Sequence, residues 1–92
     1  MENITDIIKG CIDKNHQYQK IFYEQYHGYA LKIVFRYIYR YEKAVDVVND
    51  GFVKLFRNFE KFQLAGESDN ERILMGWMKR ILVNTAIDEL RK

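Results

Sequence analysis

Residues 42–59 read EKAVDVVNDGFVKLFRNF, and the spacing of their apolar side chains decides the fold class. Most of these side chains recur three or four positions apart, at Val45, Val48, Phe52, Leu55, Phe56 and Phe59. That spacing lines them up along one face of an α-helix and leaves the charged residues on the opposite face. The stretch therefore predicts a helix over residues 42–60 that buries its apolar face.

The same helical period continues on both sides of this stretch. It predicts a short helix over residues 4–14, a long helix over 17–41 and a last helix over 71–90. Residues 63–70, QLAGESDN, lack apolar periodicity and cluster Gly, Ser, Asp and Asn, which predicts a loop. Caps for the first helix are available at Asn3 or Thr5, and for the last helix at Ser68, Asp69 or Asn70.

Composition agrees with a single helical domain. The 92 residues are 48% hydrophobic and 15% aromatic, which excludes a disordered chain, and they include no proline and only five glycines, which disfavours an all-β fold. We therefore predict an all-α fold, a compact bundle of three long helices plus a short N-terminal helix. Its core is expected to form around Phe22, Ile33, Val48, Phe52, Trp77 and Ile81.

Several function classes find no support in the sequence. The single Cys11 cannot form an internal disulfide, and His16 and His27 are too far apart for shared metal ligation. Ser68 is the only serine, and no glycine-rich phosphate loop is present. MENITDIIKG does not resemble a signal peptide, and no apolar stretch approaches the ~20 residues of a membrane span. We expect a cytoplasmic protein that is not an enzyme, needs no metal or other cofactor, and has no membrane partner.

Charge is distributed unevenly along the chain. The net charge of +2 is small, but residues 42–71 carry a net −3 whereas residues 72–92 carry a net +3. An acidic segment beside a basic one suggests two surfaces for two partners, although ordinary solvated helix faces would also explain it.

Aromatic and amide side chains lie beside the cations in the second half of the chain. Lys54, Phe56, Arg57, Phe59, Lys61 and Phe62 lead into the loop, and Trp77, Asn84 and Asp88 share one face of the last helix. Core packing would explain most of the aromatics, Trp77 included. Asn84 is a poor helix former at mid-helix, so it needs either a buried partner or an external ligand. Aromatic, amide and cationic groups together suit single-stranded nucleic acid, because bases stack on rings and cations meet phosphates.

Two stretches, DVVNDGFVKLFRNFEKF (46–62) and GWMKRILVNTAIDELRK (76–92), resemble region two of the extracytoplasmic-function (ECF) sigma factors, and the likeness runs from about Phe22 to the end. The resemblance implies a helical domain that binds core RNA polymerase and melts the promoter at its minus-ten element. The expected partners are the coiled coil of the polymerase clamp, single-stranded promoter DNA and an anti-sigma factor. Region four of such a factor is missing, so we expect residues 1–92 to be the region two domain of a longer protein.

The resemblance also implies a role for individual residues. The polymerase-binding positions are Asp46, Val47, Asn49, Asp50, Phe52 and Val53. A pocket for one extruded base matches Lys54, Asn58, Phe62 and Asn84. Phosphate contacts are expected, from charge and location, at Lys79, Arg80, Arg91 and Lys92. The 63–70 loop is longer than the common form of the family, which puts any base specificity carried by that loop in question.

Three alternatives stay open at this point. A helical protein-interaction module without DNA binding would need the same apolar stripes, but it gives no purpose to the basic helix that carries Trp77 and Asn84. A helix-turn-helix reader of duplex DNA would need two short helices at a tight turn, whereas these helices are long and the loop is loose. An enzyme has the least support.

Overall fold

Four α-helices form where the apolar period predicts them, in a computed structural model that describes residues 3–62 and 69–92. The elements are α1 (Ile4–Ile12), α2 (His16–Val34), α3 (Tyr41–Asn58), a 3-10 turn (Phe59–Lys61) and α4 (Asn70–Leu90). The described residues contain no strand, and the predicted all-α fold of three long helices and a short N-terminal one is confirmed. Most of the 63–70 loop lies outside the described residues, Ser68 among them.

Asparagine side chains start the first two helices. The Asn3 side chain accepts a hydrogen bond from the Asp6 backbone N–H at 2.9 Å, and Asn15 accepts one from the Gln17 N–H at 3.0 Å. Each bond satisfies a backbone donor that the first helical turn leaves free. Between these helices Lys14 adopts a left-handed φ of 60°, which turns α2 back along α1.

Helix α2 ends at Val34, seven residues before the predicted end at residue 41. After Val34 the backbone tightens: the N–H groups of Arg36 and Tyr37 donate to the carbonyls three residues earlier, at 3.2 and 2.9 Å. The resulting turn buries Ile38 and reverses the chain into α3. The apolar period continues through this turn because the buried residues on its far side still face the same core, so periodicity alone could not locate the break.

Aromatic rings fill the centre of the bundle around Phe22. Its ring centroid lies 5.1 to 5.8 Å from those of four neighbours, on α2, α3 and the 3-10 turn: Tyr26, Phe52, Phe56 and Phe59. Most of these pairs meet edge to face, the arrangement that the ring quadrupoles favour. Of the predicted core, Phe22, Ile33, Val48 and Phe52 are buried as expected.

On α4 two residues expected in the core lie at its edge. Trp77 and Ile81 are only partly buried, whereas Met78 and Leu82, the residues that follow them, are fully buried. Both members of each pair are apolar, so the sequence cannot decide which one faces the centre. Gly51 of α3 helps to set this register, because a Cβ atom there would come within 2.5 Å of the Leu82 Cδ2.

Helix α1 covers the end of the bundle at which the 3-10 turn and α4 meet. Its residues Ile7, Ile8 and Cys11 have no exposed surface, and α1 contacts α2, the 3-10 turn and α4. The side-chain amide of Asn70 donates to the Thr5 hydroxyl at 3.3 Å, which ties α1 to the first residue of α4. Within the described parts of the chain, no helix is long and apolar enough to span a membrane.

Candidate nucleic-acid interface

An open cavity lies between the end of the 3-10 turn and the first half of α4. Its volume is about 490 Å³, and we call it the aromatic cavity; it is lined by Lys61, Phe62, Ile73, Gly76, Trp77 and Arg80. The rings of Phe62 and Trp77 meet there with centroids 5.0 Å apart and planes tilted by 50°. Phe59 also contacts the indole, edge to face at 5.0 Å, and packs against Phe62 with ring centroids 6.2 Å apart. Two adjacent phenyl rings therefore support the indole, while part of it lines the cavity.

The lining of the aromatic cavity combines ring surface with positive charge. Trp77 is half-buried, and Lys61 and Arg80 are exposed at its rim. Gly76 adds no side chain to the lining, and the space where its Cβ atom would be has no neighbour within 4 Å. A planar heterocycle can stack on the indole while the two cations meet an attached phosphate. This arrangement is suited to a nucleotide with an unpaired base.

The four residues predicted to bind a base are divided between two places. Phe62 lies in the aromatic cavity, whereas Lys54, Asn58 and Asn84 do not line it. Lys54 of α3 donates from its Nζ to the Thr85 hydroxyl at 3.2 Å, and Asn58 donates from its amide to the Lys54 carbonyl at 2.7 Å. The structure thus brings Lys54 and Asn58 together, beside the residue that follows Asn84.

Asn84 is exposed on α4, which excludes a buried hydrogen-bond partner as the reason for its place in mid-helix. Thr85, the next residue, is the buried polar group here: its hydroxyl donates to the Ile81 carbonyl at 2.7 Å and accepts from Lys54. Asn84 lies about 10 Å along the helix axis from Trp77, given a rise of 1.5 Å per residue. The exposed amide is therefore available to a ligand, two helical turns from Trp77 and one turn from Arg80 at the rim of the aromatic cavity.

The predicted polymerase-binding residues lie partly on the surface and partly in the core. Asp46, Asn49 and Asp50 are exposed and Val53 is 47% exposed; we call these four the acidic surface. Val47 and Phe52 are only 1% and 2% exposed, so they belong to the core of this fold, and their part in polymerase binding stays a prediction. They lie on the face of α3 that packs into the bundle, where they support the acidic surface from beneath.

Few ion pairs neutralise the charged residues of these surfaces. The pairs found among the described residues are Lys43–Glu89 at 3.1 Å, Lys92–Glu89 at 3.3 Å and Arg72–Asp69 at 3.6 Å. Hydrogen bonds from Lys43 and then Lys92 hold the pKa of Glu89 below its usual value. Of the predicted phosphate contacts, Lys92 is therefore engaged with Glu89, while Lys79, Arg80 and Arg91 are exposed and lack an ion pair within the described part of the chain.

Sequence reasoning does not assign Lys61, Ile73, Gly76 or Trp77 to the site. It interprets Trp77 as a core anchor. The apolar residue beside it, Met78, was the one available signal that a different side chain could occupy that position in the core. Lys61 belongs to the aromatic and basic series before the loop, a pattern that includes this residue without singling it out. No group of three or more His, Cys, Asp or Glu residues is placed to hold a metal in the described ranges.

Comparison with known proteins identifies the family. Residues 22–92 match the family model described as Sigma-70 region 2, so the match covers α3, α4 and most of α2. Searches of curated proteins and of solved structures found no match. The matched range contains the aromatic cavity, the acidic surface and Asn84. This chain therefore belongs to the sigma-70 region 2 family, the sigma factor domain that takes part in RNA polymerase binding and recognition of the promoter minus-ten element.

Proposed function

We propose that this chain is the region two domain of an ECF sigma factor, and that its aromatic cavity holds an unstacked base of the minus-ten element during promoter melting. The observation that carries this proposal is the half-buried Trp77, packed against Phe59 and Phe62 beside an open cavity with cations at its rim. Stacking of a base on an aromatic side chain contributes about 1–3 kcal/mol, enough to offset much of the cost of unstacking it from DNA.

A single strand bound at this cavity can reach Asn84 along α4. The exposed amide offers two donors and one acceptor, which suit the edge of a second base. Lys54 and Asn58 support that position from α3, because Lys54 is bonded to Thr85 and Asn58 to Lys54. In this proposal the aromatic cavity binds one base by stacking, and Asn84 with Lys54 and Asn58 contacts a neighbouring nucleotide.

The acidic surface is the proposed docking site for the clamp coiled coil of core RNA polymerase. It lies in the net-acidic segment, residues 42–71, and the described residues offer no cation that pairs with Asp46 or Asp50. Val53 adds apolar area, which a stable interface needs in addition to charge. An anti-sigma factor that covers the same surface would block polymerase binding, which is the role we propose for that further partner.

Trp77 is the only tryptophan, so its fluorescence reports directly on the aromatic cavity. We propose titrating the chain with a single-stranded minus-ten oligonucleotide, a scrambled single strand and a random duplex. Stacking should quench Trp77 most strongly with the minus-ten strand. The complex with core polymerase is then crosslinked to the same strand carrying a photoreactive base at each position in turn, and we expect crosslinks to α4 near Trp77.

Two variants at exposed residues test the proposed contact at Asn84. Asn84→Ala should reduce the preference for the minus-ten strand without changing the fold, because its side chain is exposed. Tyr39→Ala, at a tyrosine that is 84% exposed, is the aromatic control and should change nothing. Equal quenching by the random duplex would favour a duplex reader, and polymerase binding without any DNA contact would favour the protein-interaction module.

A further inference from the structure

A second, smaller cavity opens between α2 and α4. Its volume is about 90 Å³, and it is lined by Tyr29, Lys32, Ile33, Arg36 and Lys79; we call it the cationic cavity. Three of the five lining residues are cations, and no carboxylate lines it. Of the three, only Lys79 is expected from its charge to contact DNA, and Lys32 and Arg36 belong to neither of the surfaces described above.

The fold holds these cations together in spite of their mutual repulsion. Lys32 of α2 and Arg36 of the turn that follows it line the same cavity, and like charges so close together are destabilising. The Tyr29 hydroxyl donates to the Met75 carbonyl at 3.0 Å, which fixes α2 against α4 one turn before Lys79. None of the three cations takes part in an ion pair with the residues that the structure describes. Such a cluster has unmet affinity for an anion.

The geometry suits the oxygens of a phosphate group. A guanidinium presents a planar fork of donors, and an ammonium adds a compact charge that can approach from another side. Tyr29 and Ile33 form an apolar wall, which weakens solvent screening at the cavity and strengthens each charged contact. A cavity of this volume admits a phosphate group.

The position of the cationic cavity indicates where that phosphate comes from. Lys79 lines the cationic cavity and the next residue, Arg80, lines the aromatic cavity, so one step of about 100° around α4 separates the two. We infer that the cationic cavity binds a backbone phosphate of the same DNA strand whose base stacks on Trp77, with Lys32 and Arg36 as its main ligands. This inference rests on the proposed function and adds a contact outside α4 that fixes the path of the strand.

Neutral linkages in the DNA test this inference. We propose placing a methylphosphonate at each position of the minus-ten strand in turn, and measuring the affinity of the chain in complex with core polymerase. One linkage should weaken binding to the parent chain but not to the double variant Lys32→Ala, Arg36→Ala. With unmodified DNA this variant should bind roughly fivefold more weakly. Its plot of log affinity against log salt should be shallower by about 0.7, the slope that one neutralised phosphate contributes on a single strand.

The control variant is Lys9→Ala, Lys20→Ala, which removes the same charge from exposed positions on α1 and α2 and should show no linkage-specific effect. If the control and the Lys32/Arg36 variant lose affinity equally at every linkage, the cationic cavity contributes only general charge and the inference is wrong. If the parent chain does not bind the strand at all, the proposed function itself fails.

A titration with inorganic phosphate, followed by NMR of the Arg36 side chain, tests whether the cationic cavity binds a free anion and not a DNA phosphate. If phosphate saturates the cavity without any effect on DNA binding, the assignment to DNA is wrong.

Discussion

The hydroxyl of Tyr26 donates a 2.6 Å hydrogen bond to the Glu71 carboxylate and so joins the middle of α2 to the first turn of α4. Tyr26 is 4% exposed, and hydrogen bonds to charged groups contribute about 1.5–3 kcal/mol in proteins. We expect Tyr26→Phe to lower the free energy of unfolding by about 1.5 kcal/mol, measured by urea denaturation at pH 7. In a double-mutant cycle with Glu71→Ala, additive effects would show that the bond does not form in solution.

Cys11 should make the domain less stable at alkaline pH. Burial raises the pKa of its thiol from 9.0 to about 12, while the same thiol in the unfolded chain ionises at its ordinary value. Below pH 9.0 both states keep the proton and the full stability is present. As the pH rises above that value the unfolded chain loses the proton first, so the free energy of unfolding falls until the folded thiol ionises too.

Urea denaturation of the parent chain and of Cys11→Ala between pH 7 and pH 11 measures this effect. The variant removes the thiol, so its stability should fall less steeply above pH 9, whatever its stability at pH 7. Burial and the hydrogen bond to Glu71 also raise the pKa of Tyr26, which adds a decline at higher pH to both proteins. Parallel curves for the two proteins from pH 9 to pH 10 would contradict a buried thiol.

Two helical glycines should respond to alanine in opposite directions. Gly28 is exposed, and an added Cβ there would have no neighbour within 4 Å, so Gly28→Ala should stabilise the chain by about 0.5–1 kcal/mol. At Gly51 the Cβ would lie 2.5 Å from the Leu82 side chain, so Gly51→Ala should destabilise it by about 1–3 kcal/mol. Thermal unfolding of the two variants compares them directly, and a stabilised Gly51→Ala would show that α3 and α4 pack less closely than described.

Charge reversal on the acidic surface should weaken polymerase binding. Asp46→Lys combined with Asp50→Lys replaces two exposed carboxylates on α3, and we expect at least a tenfold loss of affinity for core polymerase at moderate salt, since a like-charge contact at an interface costs several kcal/mol. Asp13→Lys with Glu24→Lys makes the same charge change at exposed positions just after α1 and on α2. Circular dichroism should show unchanged helix content in both variants. Equal binding by the two would place the docking surface elsewhere.

The sequence predicts the helices well because apolar period and capping residues act locally. It misses the end of α2 because Tyr37 and Ile38 still pack on the core after the helix has ended. The apolar pattern of such a turn cannot be distinguished from that of a continuing helix. It misses the partial exposure of Trp77 and Ile81 because each is followed by another apolar residue, Met78 or Leu82, and the packing of α4 on the other helices decides which one is buried.

For the candidate site, too, the sequence predicts what depends on neighbouring residues and misses what depends on contacts between helices. The sequence predicts one pocket that joins Phe62 to Asn84, whereas the structure has Phe62 against Trp77, and Asn84 lies two turns further along α4. The resemblance assigns Val47 and Phe52 to the surface, although α3 buries both. The cationic cavity could not be predicted, because it requires α2 and α4 to be placed side by side.

Helix α1 has a consequence for where this domain can be cut. The family match begins at residue 22, yet Ile7, Ile8 and Cys11 are fully enclosed, and Thr5 bonds the start of α4. The folded domain therefore includes residues that precede the family match. A fragment trimmed to the homologous boundary would lose α1 and the first turns of α2, and would leave the apolar surface beneath them open to aggregation.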